Sequence, residues 1–362
     1  MTEDKARIRR RILLTIPLCL ILGEALSRIW VAVKYTPERI EQLTTHSPVR
    51  GRFASHPYLP FLLNPDFPGH NPLGFRGDPF PAEKPAGVHR IVCCGASTTY
   101  GSLVDPHDSY PAELGRLVAA RADHWEVINA GVPGWTSAEI LVNFDLRVLP
   151  LSPDIVVILP PRNEIFPQVY NNFKPDYTHF RRAGFNFTVS NFVHKQLFRW
   201  SRLFMLACTV RGERFGWSET AEHPLYGGMV WENRPTQEDV ERNLKDPARM
   251  LPFRHNLEEL IQLCKPRGIR VLVCTMPIRP EKLALDELDR DSKLDTVIAG
   301  LVERDNDIAR DVAKRLGAVL VDTAKLSERA DLFIDDSHLV AEGHRLQARM
   351  IYDVLAPLIE PH

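Results

Sequence analysis

Five short apolar, β-rich runs govern what this chain can fold into: "RIVCCG" (90–95), "WEVINAG" (125–131), "DIVVILP" (154–160), "RVLVCTMP" (270–277) and "AVLVDT" (318–323). Helical patterns lie around and between them, at roughly 109–122, 136–147, 250–266, 290–316 and 341–358. A nearly continuous apolar strand has no polar face to offer water, so it belongs in a parallel sheet covered on both sides, and alternating helices supply the cover. The expectation is a three-layer α/β/α sandwich around a five-stranded parallel, flavodoxin-like sheet. In such sheets ligands bind beyond the carboxyl ends of the strands. "GASTTYG" (95–101), "NAGVPG" (129–134) and "PPRNE" (160–164) all fall on that edge.

The stretches outside this rhythm divide the chain. Residues 1–35 open with the basic "MTEDKARIRRR", continue with the apolar "ILLTIPLCLILG" and end with "EALSRIWVAVKY". The uninterrupted run from Ile12 to Gly23 is shorter than the ~20 residues a bilayer span needs, and extending it to Val33 places Glu24 and Arg28 inside. Two readings follow: an uncut anchor, which Pro17 and the further apolar length of "RIWVAV" favour, or a secretion signal cut near Ala25 or Ser27. A buried N-terminal helix is the plain alternative. Five basic residues ahead of the run place the rest of the chain outside the cytoplasm. Residues 36–88, rich in Pro, Gly and His, read as an extended lead-in, and 89–362 as the domain that carries the sheet. Within it, 165–249 reads as an insertion between the third and fourth strands, a lid or substrate wall rich in aromatics.

With 44% hydrophobic and 25% charged residues, the 362-residue chain has a globular balance, and its net charge of -1 gives no field to attract nucleic acid. The six cysteines match neither a disulfide framework nor a metal site, and most read as small core residues. No metal or organic cofactor is expected.

The loop "GASTTYG" does not fit two common chemistries. Five residues separate Gly95 from Gly101 and no Lys follows, which excludes a P-loop. Thr99 stands where a G-x-S-x-G elbow needs its second glycine. A hydroxyl-rich phosphate loop remains open, and Ser97 alone reads as a helix cap. Its company changes that. "DLFIDDSHLVAEGHRLQA" (331–348) offers Asp335 and His338 three apart, so that a carboxylate can hold one imidazole nitrogen while the other faces a nucleophile. Gly131 and Asn163, at strand ends beside Ser97, supply hydrogen-bond donors for an oxyanion. Arg162 reads as a contact for an anionic substrate or a surface salt bridge, and His179 in "PDYTHFR" as a residue lining the pocket or a structural histidine. Asp336 reads as a solvated or helix-capping carboxylate.

Ser97, Gly131, Asn163, Asp335 and His338 resemble, in order and context, the four blocks of the SGNH, or GDSL-type, hydrolase superfamily. The resemblance covers about residues 71–358, and "NPLGFRG" resembles a lead-in of bacterial membrane-anchored members. It implies that Ser97 is nucleophile and oxyanion donor, that Gly131 and Asn163 complete the oxyanion hole, that His338 is the base and that Asp335 orients it. The sequence departs from the pattern in reading Gly-Ala-Ser for Gly-Asp-Ser, and Pro-Arg-Asn-Glu for Gly-x-Asn-Asp. The implied activity is ester hydrolysis through an acyl-enzyme, on a small-molecule or envelope glycan or lipid ester. The rivals are an O-acyltransferase on the same site, a degenerate envelope binding or scaffold module, and a nucleotide-binding protein.

Overall fold

The computed structural model of the chain describes residues 2–34, 52–54, 56–122, 124–181, 197–210, 235–279 and 292–359. The chain divides into two compact units, Met1–Gly51 with Phe185–His223 and Arg52–Gly184 with Pro224–His362. The expected insertion 165–249 is thereby shared: its two ends belong to the unit that holds the sheet, and its middle to the unit that holds the N-terminal helix. Trp217 and Trp231 of that insertion, and 36–51 of the lead-in, lie outside the described residues.

In the larger unit the five apolar runs form strands β1 (His89–Cys94), β2 (Trp125–Asn129), β3 (Ile155–Ile158), β4 (Arg270–Cys274) and β5 (Val319–Val321). They make one five-stranded sheet in the order β2-β1-β3-β4-β5. Every pairing is parallel, with Ile91 opposite Val127, Cys93 opposite Val157, Val157 opposite Leu272 and Cys274 opposite Val321. Ile91, Val92, Cys93, Val156, Val157, Leu272 and Val273 are all fully buried, which is why these strands alternate so little in polarity. Cys93 and Cys94 are buried free thiols in this layer, and burial pushes both well up from the ordinary thiol range, so neither is a nucleophile.

Helices cover both faces. α2 (Tyr110–Ala119) packs on α7 (Ala341–Ile359), while α3 (Ser137–Asn143) and α6 (Ser292–Leu316) flank α5 (Leu251–Cys264). Because the chain reverses direction along the sheet after β2, a crevice opens at the carboxyl ends of β1 and β3, where connections leave to opposite faces. Ser97 follows β1 and Asn163 follows β3, so both candidate residues stand at that switch point.

The lead-in is built into this unit. Arg76 of "NPLGFRG" donates its backbone N–H to Asn129 O at 3.2 Å, and its guanidinium lies 4.2 Å from the Tyr100 ring centroid while donating to the Tyr100 hydroxyl at 2.8 Å. Arg90, fully buried at the start of the sheet, pairs with Glu126 and donates to Ala82 O at 2.9 Å and Leu151 O at 2.8 Å. A buried guanidinium needs such a set of acceptors, and here it ties the lead-in to the strands.

In the smaller unit the N-terminal sequence forms α1 (Thr2–Lys34), whose stretch Thr15–Lys34 is long and apolar enough to cross a membrane. A second helix, α4 (Arg202–Val210), belongs to the same unit.

Candidate active site

Ser97 opens a single helical turn, Ser97–Tyr100, directly after β1. Gly95 allows the turn to fold back, since a Cβ there would stand 2.0 Å from Thr99 Oγ1 and 3.0 Å from Leu159 O. Gly101 closes it at φ 75°, in the left-handed region that suits glycine, and donates its N–H to Ser97 O at 3.0 Å. The capping position belongs to Ala96, and no side chain caps the turn. The Ser97 hydroxyl is therefore not consumed as a cap. Ser97 is half-buried, and among the described residues no group accepts from its backbone N–H.

The loop before α7 presents the second half of the constellation. Asp335 Oδ2 lies 2.7 Å from His338 Nδ1, and Asp335 Oδ1 accepts the backbone N–H groups of Ser337 at 2.9 Å and His338 at 2.7 Å. Burial alone would raise the Asp335 carboxyl, but the His338 ring and these two N–H groups outweigh it and hold the group below the ordinary carboxylate range. An ionised Asp335 accepts a proton-bearing Nδ1, which leaves Nε2 as the free lone pair. That nitrogen is buried and has no hydrogen-bond partner among the described residues. It is not yet bonded to Ser97, as is common before substrate arrives.

Asn163 is buried and donates one amide hydrogen to Trp135 O at 3.0 Å, which leaves its second amide hydrogen for another acceptor. Gly131 corrects the expectation. Its N–H is donated to Asn129 Oδ1 at 3.0 Å, so it is not available to an oxyanion. Its missing side chain has a packing role instead: a Cβ would stand 2.3 Å from Tyr100 N and 2.8 Å from Thr99 C, inside the Ser97 turn. Asn129 completes this brace by donating to Thr99 O at 2.9 Å. In the same loop Gly134, at φ 83°, has no acceptor for its N–H among the described residues.

Arg162 departs from expectation, whereas His179 follows the structural one of its two readings. Arg162 donates from Nε to Asp336 Oδ2 at 2.8 Å, and its Nη2 lies 2.6 Å from the same oxygen, with the two side chains only 6% and 9% exposed. This is neither a surface salt bridge nor a contact for an anionic substrate, and Asp336 is not a solvated carboxylate. The pair joins the residue before Asn163 to the residue after Asp335, and Asp336 O further accepts the backbone N–H of Arg279 at 2.7 Å. His179 is buried, with Nδ1 facing Lys174 N at 3.1 Å and Nε2 facing Pro167 O at 2.8 Å. It is a structural histidine that ties its own segment.

The rest of "PDYTHFR" supports the site from behind. The Tyr177 hydroxyl donates to Glu164, the residue after Asn163, and Arg181 donates to Gly134 O at 2.6 Å and to Glu139 Oε1 at 2.8 Å. Burial pushes the Glu164 carboxyl up to about 7, against the lowering effect of Tyr177 and of the Ser137 N–H at 2.8 Å. Among the described residues no group of His, Cys, Asp and Glu could hold a metal ion.

No family model matches this chain, and no curated protein sequence matches it. Solved structures similar to it include an alpha/beta hydrolase enzyme from the metagenome of Lake Arreo, Spain, at 18% identity and TM-score 0.44, covering 75% of this chain and 96% of that one. The lipase/acylhydrolase from Enterococcus faecalis is similar at 19% identity and TM-score 0.43, covering 76% and 99%. A GDSL-like lipase from Bacteroides thetaiotaomicron is similar at 14% identity and TM-score 0.42, covering 74% and 88%.

Proposed function

We propose that this chain is a serine hydrolase that cleaves an ester through an acyl-enzyme, with Ser97 as nucleophile, His338 as base and Asp335 as the group that orients it. The observation that carries the reading is the 2.7 Å contact between Asp335 Oδ2 and His338 Nδ1, with His338 Nε2 left buried and unpartnered on the sheet edge that also holds Ser97. In the first step the Ser97 hydroxyl proton passes to His338 Nε2 as Ser97 Oγ bonds to the ester carbonyl carbon. Negative charge on the carbonyl oxygen is met by the N–H group of Ser97 and by the second amide hydrogen of Asn163. Collapse breaks the bond to the alcohol oxygen, which leaves with the proton from His338. Water then gives a proton to His338 as its oxygen bonds to the acyl carbon; collapse breaks the acyl carbon–Ser97 Oγ bond, the proton returns from His338 to Oγ, and the acid leaves.

The basic segment and apolar helix at the N-terminus support the reading of a membrane-held enzyme whose sheet-bearing unit works outside the cytoplasm. The substrate class that suits such a placement is an O-acyl group on an envelope glycan or lipid. The test uses the full chain and its Ser97→Ala variant, treated with a fluorescent phosphonate and then with short-chain p-nitrophenyl esters. Labelling and turnover that vanish in the variant support the reading. Equal labelling of both proteins overturns it.

A further inference from the structure

The N-terminal helix holds a residue that its composition does not explain. Glu24 stands inside the apolar stretch Thr15–Lys34, and an unpaired carboxylate in the middle of a span is costly. In the structure it is not unpaired. Glu24 Oε1 accepts from Arg28 Nε at 2.8 Å and from the backbone N–H of Arg202 at 2.9 Å. Its Oε2 accepts from the Ser201 hydroxyl at 2.8 Å and from the backbone N–H of Leu203 at 3.0 Å. Two first-turn N–H groups of α4, which no intrahelical carbonyl can satisfy, are thus met by a carboxylate from α1. Arg28 adds a bond to Trp200 O at 2.9 Å, so the chain entering α4 lies along α1 from Arg28 to Glu24.

The packing agrees with the hydrogen bonds. A Cβ on Gly23 would stand 3.2 Å from Leu203 Cδ2, so the missing side chain lets α4 approach. Ser27 and Val31 are buried, and with Gly23 they mark one stripe at helical spacing. This is the small-residue spacing by which helices pack closely in lipid. Around this stripe the exposed side chains of 15–34 are mostly apolar, with Arg28 the charged exception: Ile21, Leu22, Leu26, Ile29 and Val33 are each more than half exposed. On the α4 side Leu197 is exposed and Trp200 is 76% exposed, while Phe198 and Met205 are buried. A surface this apolar, continuous with a stretch long enough to span and preceded by Lys5, Arg7, Arg9, Arg10 and Arg11, suits a bilayer with anionic headgroups. Trp30 and Trp200 are the residue type that collects at its interface.

We infer that α1 is retained in the mature protein and that the segment 197–210 docks on it as a second membrane-contacting element, the two helices facing the lipid together. Removal of the N-terminus near Ala25 or Ser27 would strip α4 of Gly23 and Glu24, and so is incompatible with the pair. The insertion is therefore held to the bilayer at its middle, not suspended from the sheet-bearing unit alone. This inference stands whether or not Ser97 is a nucleophile.

The test reconstitutes the full chain in phosphatidylcholine–phosphatidylglycerol vesicles that carry a lipid with a photoactivatable diazirine on its acyl chain, and maps the labelled peptides by mass spectrometry. Labelling of both 15–34 and 197–210 is the expected result. Label confined to 15–34 overturns the inference. So does an intact mass, for protein extracted from membranes, that lacks the first 25 or so residues, and so does a homodimer crosslinked through 197–210 with no lipid label there. In Glu24→Leu the label on 197–210 drops ~10-fold, the scale of losing an interhelical polar contact, while that on 15–34 persists. Glu24→Gln, which keeps acceptor oxygen for α4, stays near wild type. Equal labelling of 197–210 in wild type and Glu24→Leu overturns the role of Glu24 and the pairing with it.

Discussion

The sheet edge contains two kinds of polar group, and they differ in what they have left over. Along the reacting side, the Ser97 N–H, one hydrogen of the Asn163 amide and His338 Nε2 have no partner among the described residues. Just behind them the groups that brace the loops are bound: Gly131 N–H to Asn129, His179 to backbone on both ring nitrogens, and Arg162 to Asp336. Asp335 and Asp336 are adjacent in sequence, yet one orients an imidazole and the other closes an ion pair. A buried polar group left unmatched is costly unless something later satisfies it. The difference therefore separates the residues that await a ligand from those that hold the site in place.

The largest effects belong to the first kind. Ser97→Ala abolishes ester turnover, and Asp335→Asn lowers kcat ~10⁴-fold, because it leaves His338 in the wrong tautomer. Steady-state kinetics beside circular dichroism measures both, and an Asp335→Asn enzyme of near wild-type kcat breaks the comparison. Asn163→Ala comes next, with kcat falling ~10²–10³-fold at little change in thermal stability. Gly131→Ala divides the two kinds in the opposite way. The added methyl group meets Thr99 and Tyr100 backbone, which has nowhere to retreat, so it costs ~4 kcal/mol in denaturant unfolding.

Comparable in stability but smaller in its effect on turnover is the Arg162–Asp336 pair. Asp336→Asn leaves a buried guanidinium without its counter-charge, and breaking such a pair costs ~3–5 kcal/mol. Since the pair joins the Asn163 loop to the Asp335–His338 loop, kcat should fall while KM holds. Arg162→Lys, which keeps the charge without the fork, should recover part of the stability and less of the kcat. A loss of stability with unchanged kcat would make the pair a fold element only.

Much of the fold was open to reading because its signal is local. A strand buried on both faces must be apolar throughout, and all five runs, from Ile91 in β1 to Val321 in β5, carry that mark. Asp335 and His338 were legible for a similar reason, since three residues of separation in a short loop nearly dictate their contact. What escaped depends on partners far away in the chain. Arg162 meets Asp336 across 174 positions, Tyr177 and Arg181 reach Glu164 and Glu139, and Glu24 meets Arg202 across 178. No spacing rule announces such pairs. Gly131 shows the finest case, because only the bond of its N–H to Asn129 Oδ1 tells a packing glycine from a free donor.

The smallest effects are in pH, and two buried groups near the edge should give opposite signs. His344 is held neutral in the fold, its pKa lowered to about 4 by burial and then by the charge of His338, and its Nδ1 accepts the Tyr110 N–H at 3.3 Å. The unfolded chain takes up that proton below about 6.5 and the folded one does not, so His344 costs stability as pH falls from 6.5 towards 4, by about 3 kcal/mol at the limit. Glu164 behaves in reverse. With a folded pKa of about 7, it stays protonated while the unfolded chain ionises from about 4.5 upward, so it costs stability as pH rises through that window and reaches its full penalty above 7. Denaturant unfolding of wild type, His344→Gln and Glu164→Gln at pH 4.5, 6 and 8 separates them. Relative to wild type, His344→Gln should gain stability towards acid and Glu164→Gln towards base. Parallel pH profiles for the three proteins would mean that neither group keeps its buried, uncharged form in the folded state.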